Sequence, residues 1–380
     1  MRRRAFLTSA AGGTVAGLAG CIQNTSDDTN GNGGDDGNGN GNGGNGIGNG
    51  NGNGNGDSDT LHVATYNSFI DAPSDSPGVW IKEEFEERYD ATLEWHAPEQ
   101  ELTHYIERHN QGADIEPDLY LGVSPHELVR ADENTEGDLF IETDRSRLEH
   151  AADVGEEHEF DPEGRVIPIF RTHCALVYDG RNVDQPESFD DLLDPAYEGQ
   201  IAVSNPQRGT TGLLFMLWTI NQFGEDGYLA YWEDLLENGT RVLDSWSEVY
   251  TQFQEDEIPV VVSYSNDRVY AKRAENDLEK HQVSFLENQA YTNYTGMARF
   301  ANASDDGLLY DFMNFVLEPE VQAVIAERNV TDPVNEQTEL PEVYAEYAEL
   351  PDEPVFFDYD ELSGNLSGWL DDWGRTVVGN

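Results

Sequence analysis

From residue 61 onward, short stretches of alternating apolar and polar positions take turns with longer stretches whose apolar residues recur every three or four positions. The first pattern predicts strands and the second amphipathic helices. Strands are predicted over 61–66, 91–96 and 118–122, with helices over 79–89, 99–110 and from 125 to 131 between and after them. Strand–helix–strand at this rhythm predicts parallel sheets with helices on both faces. The extended run 165–178 is long enough to leave one lobe and enter another. A second series follows, with strands over 200–203, 241–243 and 259–263 and helices over 211–223, 226–237, 247–254 and 267–275. The run 291–300 is extended again and carries the chain back, before helices over 308–316, 319–327, 342–347 and 369–377. This pattern predicts an α/β protein of two lobes joined by two crossing strands. The lobes are expected over 61–170 and 171–292, with 293–380 as the return crossover and C-terminal helices packed back on them. Such lobes enclose a cleft faced by strand C-termini and helix N-termini.

The first sixty residues follow neither pattern. Arg2, Arg3 and Arg4 precede a weakly apolar run that ends in Leu18-Ala19-Gly20-Cys21. A charged start, a short apolar region and small residues before a cut site predict an export signal over 1–21, too short for a stable spanning helix. The Arg-Arg-x-Phe-Leu order resembles a twin-arginine signal, and Leu-Ala-Gly-Cys resembles a lipobox, which implies lipid on Cys21. Residues 22–60 are almost all Gly, Asn, Asp and Ser, a composition with nothing apolar to bury, and so predict a flexible linker. A lipid on a polar leash places a soluble domain on the extracytoplasmic face of the membrane, attached through its N-terminal lipid.

Charge narrows the reading further. Lys and Arg total 21 against 75 Asp and Glu, a formal net charge of -54. At ordinary salt such a surface repels itself. An aromatic content of 11% and clear apolar runs nevertheless predict a folded chain, so the acidity reads as a halophilic solvation trait of the whole surface. Nucleic acid is excluded as a partner, because its phosphates meet a like-charged field. Cys174 lies in a strand-like run and reads as a buried small residue, not a nucleophile. The nine histidines show no metal-ligand spacing, and neither a metal nor a cofactor is expected. Asn238, Asn293, Asn302, Asn329 and Asn365 lie in Asn-x-Ser/Thr sites that accept glycans only if exposed.

Candidate chemistry gathers at strand ends. Tyr66, Asn67 and Ser68 end the first strand, where ligand groups sit in open α/β sheets. Gly209, Thr210, Thr211 and Gly212 follow another strand and open a helix; there, hydroxyls and free amides hold an anion or polar oxygen, or Thr210 or Thr211 simply caps the helix. Trp246 is expected on a loop rim, and Tyr264 and Tyr270 repeat that strand-to-helix geometry. Aromatics at several strand ends near carboxylates suit a flat cationic ring, held by stacking and cation–π attraction; taken singly, each also reads as core.

Thr65-Tyr66-Asn67-Ser68-Phe69, Asn205-Pro-x-x-x-Thr-x-Gly-Leu213, Trp246-Ser247-Glu248-x-Tyr250 and Val261-x-Ser-Tyr264-x-x-x-x-x-Tyr270 occur in this order. The series closely resembles the thiamine-binding solute receptors of ATP-binding-cassette importers, over roughly residues 61 to 335. The resemblance implies a two-lobed class II periplasmic-binding-protein fold, capture of thiamine or its phosphates, delivery to a membrane permease, and no enzymatic activity. It implies Tyr66, Trp246, Tyr264 and Tyr270 as aromatics around the ligand, and Thr210, Thr211 and Gly212 as the loop meeting the phosphate or hydroxyethyl end. The chain departs from the family at Asn67, usually Asp, and Asp71, Asp244 or Asp267 are candidates to replace that carboxylate. It also lacks family tryptophans within 70–77 and before Pro333-Val334.

The alternative keeps the fold and changes the ligand to ferric iron or a polyamine. Iron receptors of this fold commonly use a Tyr-Tyr pair, and none occurs here. An enzyme of the nucleophile-elbow type would need Gly-x-Ser-x-Gly, also missing from the sequence. The charge of -54 generates one prediction. Far-ultraviolet circular dichroism should be lost on dialysis into dilute buffer and return in about 1 M potassium chloride, where the screening length shrinks to about 3 Å. Full structure in tens-of-millimolar salt would sink the halophilic reading.

Overall fold

A computed structural model describes residues 60–72, 75–304 and 307–377. The expected signal with Cys21, and the expected linker up to residue 59, lie outside the described residues. The strands are β1 (Thr60–Thr65), β2 (Thr92–His96), β3 (Leu119–Val123), β4 (Phe140–Ile141), β5 (Val166–Tyr178), β6 (Ile201–Ser204), β7 (Arg241–Leu243), β8 (Val260–Tyr264), β9 (Gln282–Ser284), β10 (Gln289–Phe300), β11 (Asp332–Pro333) and β12 (Glu353–Val355). The helices are α1 (Asn67–Ile70), α2 (Gly78–Tyr89), α3 (Leu102–Asn110), α4 (Pro125–Asn134), α5 (Thr210–Phe223), α6 (Tyr228–Glu237), α7 (Trp246–Gln254), α8 (Asp267–Arg273), α9 (Gly307–Leu317), α10 (Pro319–Asn329), α11 (Glu342–Tyr347), α12 (Tyr359–Leu362) and α13 (Leu366–Val377).

All the strands join one sheet whose main path runs β2-β1-β3-β10-β5-β8-β6-β7. At each end the pairs are parallel, as the strand–helix rhythm predicts: β1 with β2 and β3, and β6 with β7 and β8. In the middle, where the sequence reading set no direction for the crossing strands, the pairing is antiparallel. β5 and β10 run antiparallel to each other, β10 antiparallel to β3 and β5 antiparallel to β8. The reason is connectivity: the chain passes once from the first half to the second along β5 and once back along β10, so the two passes point in opposite directions. The expected lobe limits at 170/171 and 292/293 fall inside these two strands.

Alternation along the strands sends neighbouring residues to opposite faces, each covered by helices. In the first half, Leu61 and Val63 pack toward Phe85 of α2 and Phe312 of α9, while Ala64 packs toward Tyr105 of α3 and Leu128 of α4. In the second half, Val260 and Val262 face Leu214 and Trp218 of α5, while Val261 faces Tyr250 and Phe253 of α7. Cys174 is buried in the α5 layer, and that burial pushes its thiol pKa well up. The pairing of β5 and β10 shifts register between Thr295 and Gly296, a bulge that bends a long strand. Only glycine fits there: a Cβ on Gly296 would lie 2.4 Å from a methyl of Val166 and 2.6 Å from the Ile167 carbonyl oxygen.

Local departures from the sequence reading have local causes. The helix expected from 99 begins at Leu102, because Glu101 takes φ 48° and ψ −129° and breaks the turn before it. The short helix α1 directly after β1 carries no periodic signal, since four residues are barely one turn.

Candidate functional site

A cleft of about 280 Å³ lies where the strand ends of both halves meet over the crossing strands. Its floor is the β5–β10 ladder. Thr172 stands opposite Asn293, and Phe170 opposite Thr295, and all four line the cleft. The two-residue period puts Phe170 and Thr172 of β5 on the same face as Asn293 and Thr295 of β10. The motifs did not single out these floor residues, because polar residues such as Arg171, His173 and Thr292 stand at the intervening positions as well.

The wall from the first half begins where β1 ends. Tyr66, Asn67, Ser68 and Asp71 project from the turn into α1 and line the cleft, with Asp75 beyond them. The Tyr66 ring packs edge-on to Phe69 at 5.6 Å, and its hydroxyl accepts a 3.1 Å hydrogen bond from Asn329 Nδ2. Gly122 of β3 lets this ring lie close, since a Cβ there would meet it at 2.8 Å. Two carboxylates that the motif reading missed complete this wall. Glu101 comes from the residue that breaks the helix before α3, and Glu127 from the first turn of α4. Burial raises the pKa of both. Glu127 is pushed up to about 7, by burial first and by the nearby Glu101 charge second. It closes a capping box: its Oε2 accepts from Ser124 N at 3.1 Å and from Ser124 Oγ at 3.0 Å. His126 beside it is held at about 3 by burial, and so is neutral.

The wall from the second half is aromatic and then carries a helix N-terminus. Trp246 stacks on Tyr250 at 5.0 Å and 22°, and its indole nitrogen donates to Ser263 Oγ at 3.0 Å. Tyr264 stands 6.3 Å from that ring at 50°. Trp246 is the first residue of α7 instead of a loop-rim residue, because Ser245 is the N-cap, accepting from Glu248 N at 3.2 Å. Further along, Arg208, Gly209, Thr210 and Thr211 bring the N-terminus of α5 to the cleft. The cap is Gly209, not either threonine. Ser204 reaches across from β6 instead, accepting from Gly212 N at 2.8 Å and sharing a 2.8 Å bond with Thr211 Oγ1.

Two sequence candidates stand behind the surface. Gly212 has its N–H committed to Ser204, and a Cβ on it would fall 1.9 Å from the Ser204 carbonyl oxygen; it serves helix–strand packing. Tyr270 is buried against Tyr250 at 6.2 Å, with its hydroxyl accepting from Gln254 Nε2 at 3.1 Å. It supports the ring beneath Trp246 and does not line the cleft. Of the three aspartates considered as substitutes for a carboxylate at 67, only Asp71 lines the cleft. Asp244 pairs with Arg208 at 2.7 Å on the rim, and Asp267 is buried as acceptor for Tyr250 and His281. Asn293 is buried in the floor, which removes it as a glycan acceptor.

Two of the seven described non-glycine residues with positive φ stand at the cleft. Glu101 at φ 48° and Val330 at φ 48° both line the cleft, and a β-branched residue in the left-handed region is a genuine outlier. Behind Val330, Asp332 accepts from His173 at 2.9 Å and from Tyr344, while Asn266 Nδ2 donates to it at 3.2 Å. Burial opposes the Asp332 charge, but these partners and Arg171 outweigh it and hold the carboxyl below its ordinary pKa. This network ties the segment after α10 to β5 and α8.

The cleft is thus lined by the carboxylates of Asp71, Glu101 and Glu127, the rings of Tyr66, Trp246 and Tyr264, and the α5 N-terminus with Arg208. Rings beside carboxylates suit a flat cation, and a helix N-terminus suits a polar or anionic group. Fold and cleft together define an α/β solute receptor. The chain belongs to the bacterial extracellular solute-binding protein family, whose profile matches residues 133–352. A thiamine-binding periplasmic protein of Escherichia coli (strain K12) is 26% identical over 318 residues, covering 83% of this chain and 93% of its own. The solved structure of a periplasmic thiamin binding protein superposes with a TM-score of 0.72 at 25% identity, over 84% of this chain and 96% of that one. A ferric binding protein from Campylobacter jejuni shares the fold, at a TM-score of 0.68 and 16% identity over 83% of this chain and 99% of that one.

The raised Glu127 pKa gives a signed expectation. A bound cation favours the carboxylate, so binding releases a proton wherever Glu127 is protonated beforehand. Affinity for a cationic solute should therefore weaken as pH falls from about 8 to about 6, by up to about tenfold per unit at the steepest point. Titration calorimetry across this range should show the slope, and Glu127→Gln should flatten it. A slope unchanged in that variant would remove Glu127 from the site.

Proposed function

We propose that this chain is the capture component of an importer, which encloses thiamine or a thiamine phosphate and hands it to a membrane permease of the ATP-binding-cassette type without converting it. The observation that carries this reading is the gathering of Tyr66, Trp246 and Tyr264 with Asp71, Glu101 and Glu127 in one cleft lined also by the α5 N-terminus. In the proposed complex the flat cation stacks on the rings and faces the carboxylates. The hydroxyethyl or phosphate tail meets Thr210, Thr211 and Arg208. Asn67 and Ser68 contribute hydrogen bonds to the heterocycle, and Gly209 keeps the helix entrance open. The likeness to the thiamine-binding periplasmic protein of Escherichia coli supports the same ligand.

Ferric iron is the weaker reading on a specific ground. Burial pushes the phenol pKa of both Tyr66 and Tyr264 upward, so neither is poised as the phenolate that a hard, trivalent ion takes as ligand. A polyamine would use the carboxylates and the ring faces, but it carries no polar or anionic tail for Thr210 and Thr211 at the α5 N-terminus. The lobes over 61–170 and 171–292 act in this proposal as the two jaws of the cleft, with β5 and β10 as the connection.

A thermal-shift panel in molar salt tests the ligand, using thiamine, thiamine phosphates, ferric citrate and spermidine. A ligand at about a hundredfold excess over Kd adds roughly 2.7 kcal/mol. Thiamine or a phosphate ester should raise Tm, and Trp246→Ala should weaken that ligand by about 1–3 kcal/mol through lost stacking and cation–π contact. A shift with spermidine alone would transfer the assignment to polyamines.

The leader belongs to the same proposal: export by the twin-arginine route, lipid on Cys21, and a polar tether that keeps the receptor near its permease while leaving it free to turn. Cys21→Ser should release the protein into the medium with unchanged ligand affinity. Membrane retention of that variant through a detergent-free, high-salt wash would contradict lipid anchoring.

A further inference from the structure

The sheet edge farthest from the cleft's second half carries a cluster that sequence spacing hides. β2 is the edge strand and pairs in parallel with β1, so His62 stands opposite Glu94 and Ala64 opposite His96. Because Glu94 and His96 are two residues apart, their side chains leave β2 on the same face, and His62 leaves β1 beside them. His62 Nδ1 lies 2.9 Å from His96 Nε2 and 3.5 Å from Glu94 Oε2, and one ligand atom from each of the three residues falls within 4.8 Å of the others. The three are separated by up to 34 positions in the chain, which is why no short ligand motif marks them.

We propose that His62, Glu94 and His96 form a binding site for a divalent transition metal of the zinc class. Tetrahedral coordination at about 2.1 Å sets ligand atoms about 3.4 Å apart, and the two measured separations bracket that value. Two imidazoles and one carboxylate suit Zn²⁺, Ni²⁺ or Co²⁺, in contrast to the all-oxygen sets of Ca²⁺ and Mg²⁺, and leave a position for water. Two imidazole nitrogens at 2.9 Å tolerate one proton between them, not two, and a metal replaces that proton as their shared partner.

The metal would act as a clamp on the framework. β1 runs on to Tyr66, and β2 runs on through residues 97–100 to Glu101, so the paired strands lead to two residues of the cleft wall. Binding to the folded state raises stability by linkage and does not depend on which solute the cleft takes. A failure of the thiamine reading leaves this proposal standing.

The full chain, stripped with chelator and held in molar salt to suppress weak binding by surface carboxylates, is titrated with ZnCl₂ by calorimetry and with CoCl₂ by visible absorption. Saturation at one metal per chain is expected, with a rise in Tm and a Co²⁺ spectrum of a low-symmetry, nitrogen-containing site. His62→Gln and His96→Gln should each weaken Zn²⁺ at least about tenfold, and so should the exposed Glu94→Gln, which spares both rings if a histidine variant fails to fold. His104→Gln, outside the cluster, should bind as the parent does. No binding by the parent up to about 100 μM Zn²⁺, or undiminished binding in folded cluster variants, overturns the proposal.

Discussion

The antiparallel ladder of β5 with β10 is the interaction on which the other features depend. It is the only continuous hydrogen-bonded path, among the described residues, between the parallel strands of one half and those of the other. Both strands are buried over nearly their whole length, so their backbone groups must find partners, most of them in the ladder or in flanking β3, β4, β8, β9, β11 and β12. The bulge at Gly296 lets the two strands bend together. The floor of the cleft is made of the same ladder, so the groups that meet a solute from below are fixed by the element that holds the two halves.

Electrostatics then shapes the cleft. The surface as a whole is acidic, with 75 acidic residues against 21 Lys and Arg, so a carboxylate at the surface distinguishes nothing. What sets Glu101 and Glu127 apart is burial. Both face the cleft with raised pKa values, and each lies within the field of the other or of Arg130. A charge held at such a site is worth more to a desolvated cation than any number of solvated ones. The α5 N-terminus also lines the cleft, and Arg208 beside it is paired with Asp244 at 2.7 Å.

Strain and support are distributed accordingly. Glu101 and Val330 occupy left-handed backbone at the cleft, and each is over-determined by packing: Glu101 by the start of α3, Val330 by the Asp332–His173–Tyr344 network behind it. Trp246 presents one face to the cleft because Tyr250 covers the other and Ser263 holds its nitrogen. Tyr270 and Gly212 belong to this supporting layer. Their places in the motifs reflect what the lining residues need beneath them.

The sequence by itself determined the order of strands and helices, the two long crossing segments and several of the lining residues of the cleft at strand ends. It could do so because period and turn chemistry are local, and because in α/β sheets ligand groups follow strand C-termini. Tyr66, Asn67, Ser68, Gly209, Thr210, Thr211, Trp246 and Tyr264 were legible for that reason. What only the tertiary structure decided is which distant residues share a face. Thr172 meets Asn293 across the ladder, Glu101 turns inward through a backbone angle that no propensity encodes, and Glu127 arrives from a helix whose pattern reads as ordinary. Antiparallel pairing of the crossing strands and the convergence of His62, Glu94 and His96 at the sheet edge are likewise matters of register, set by which strands pair.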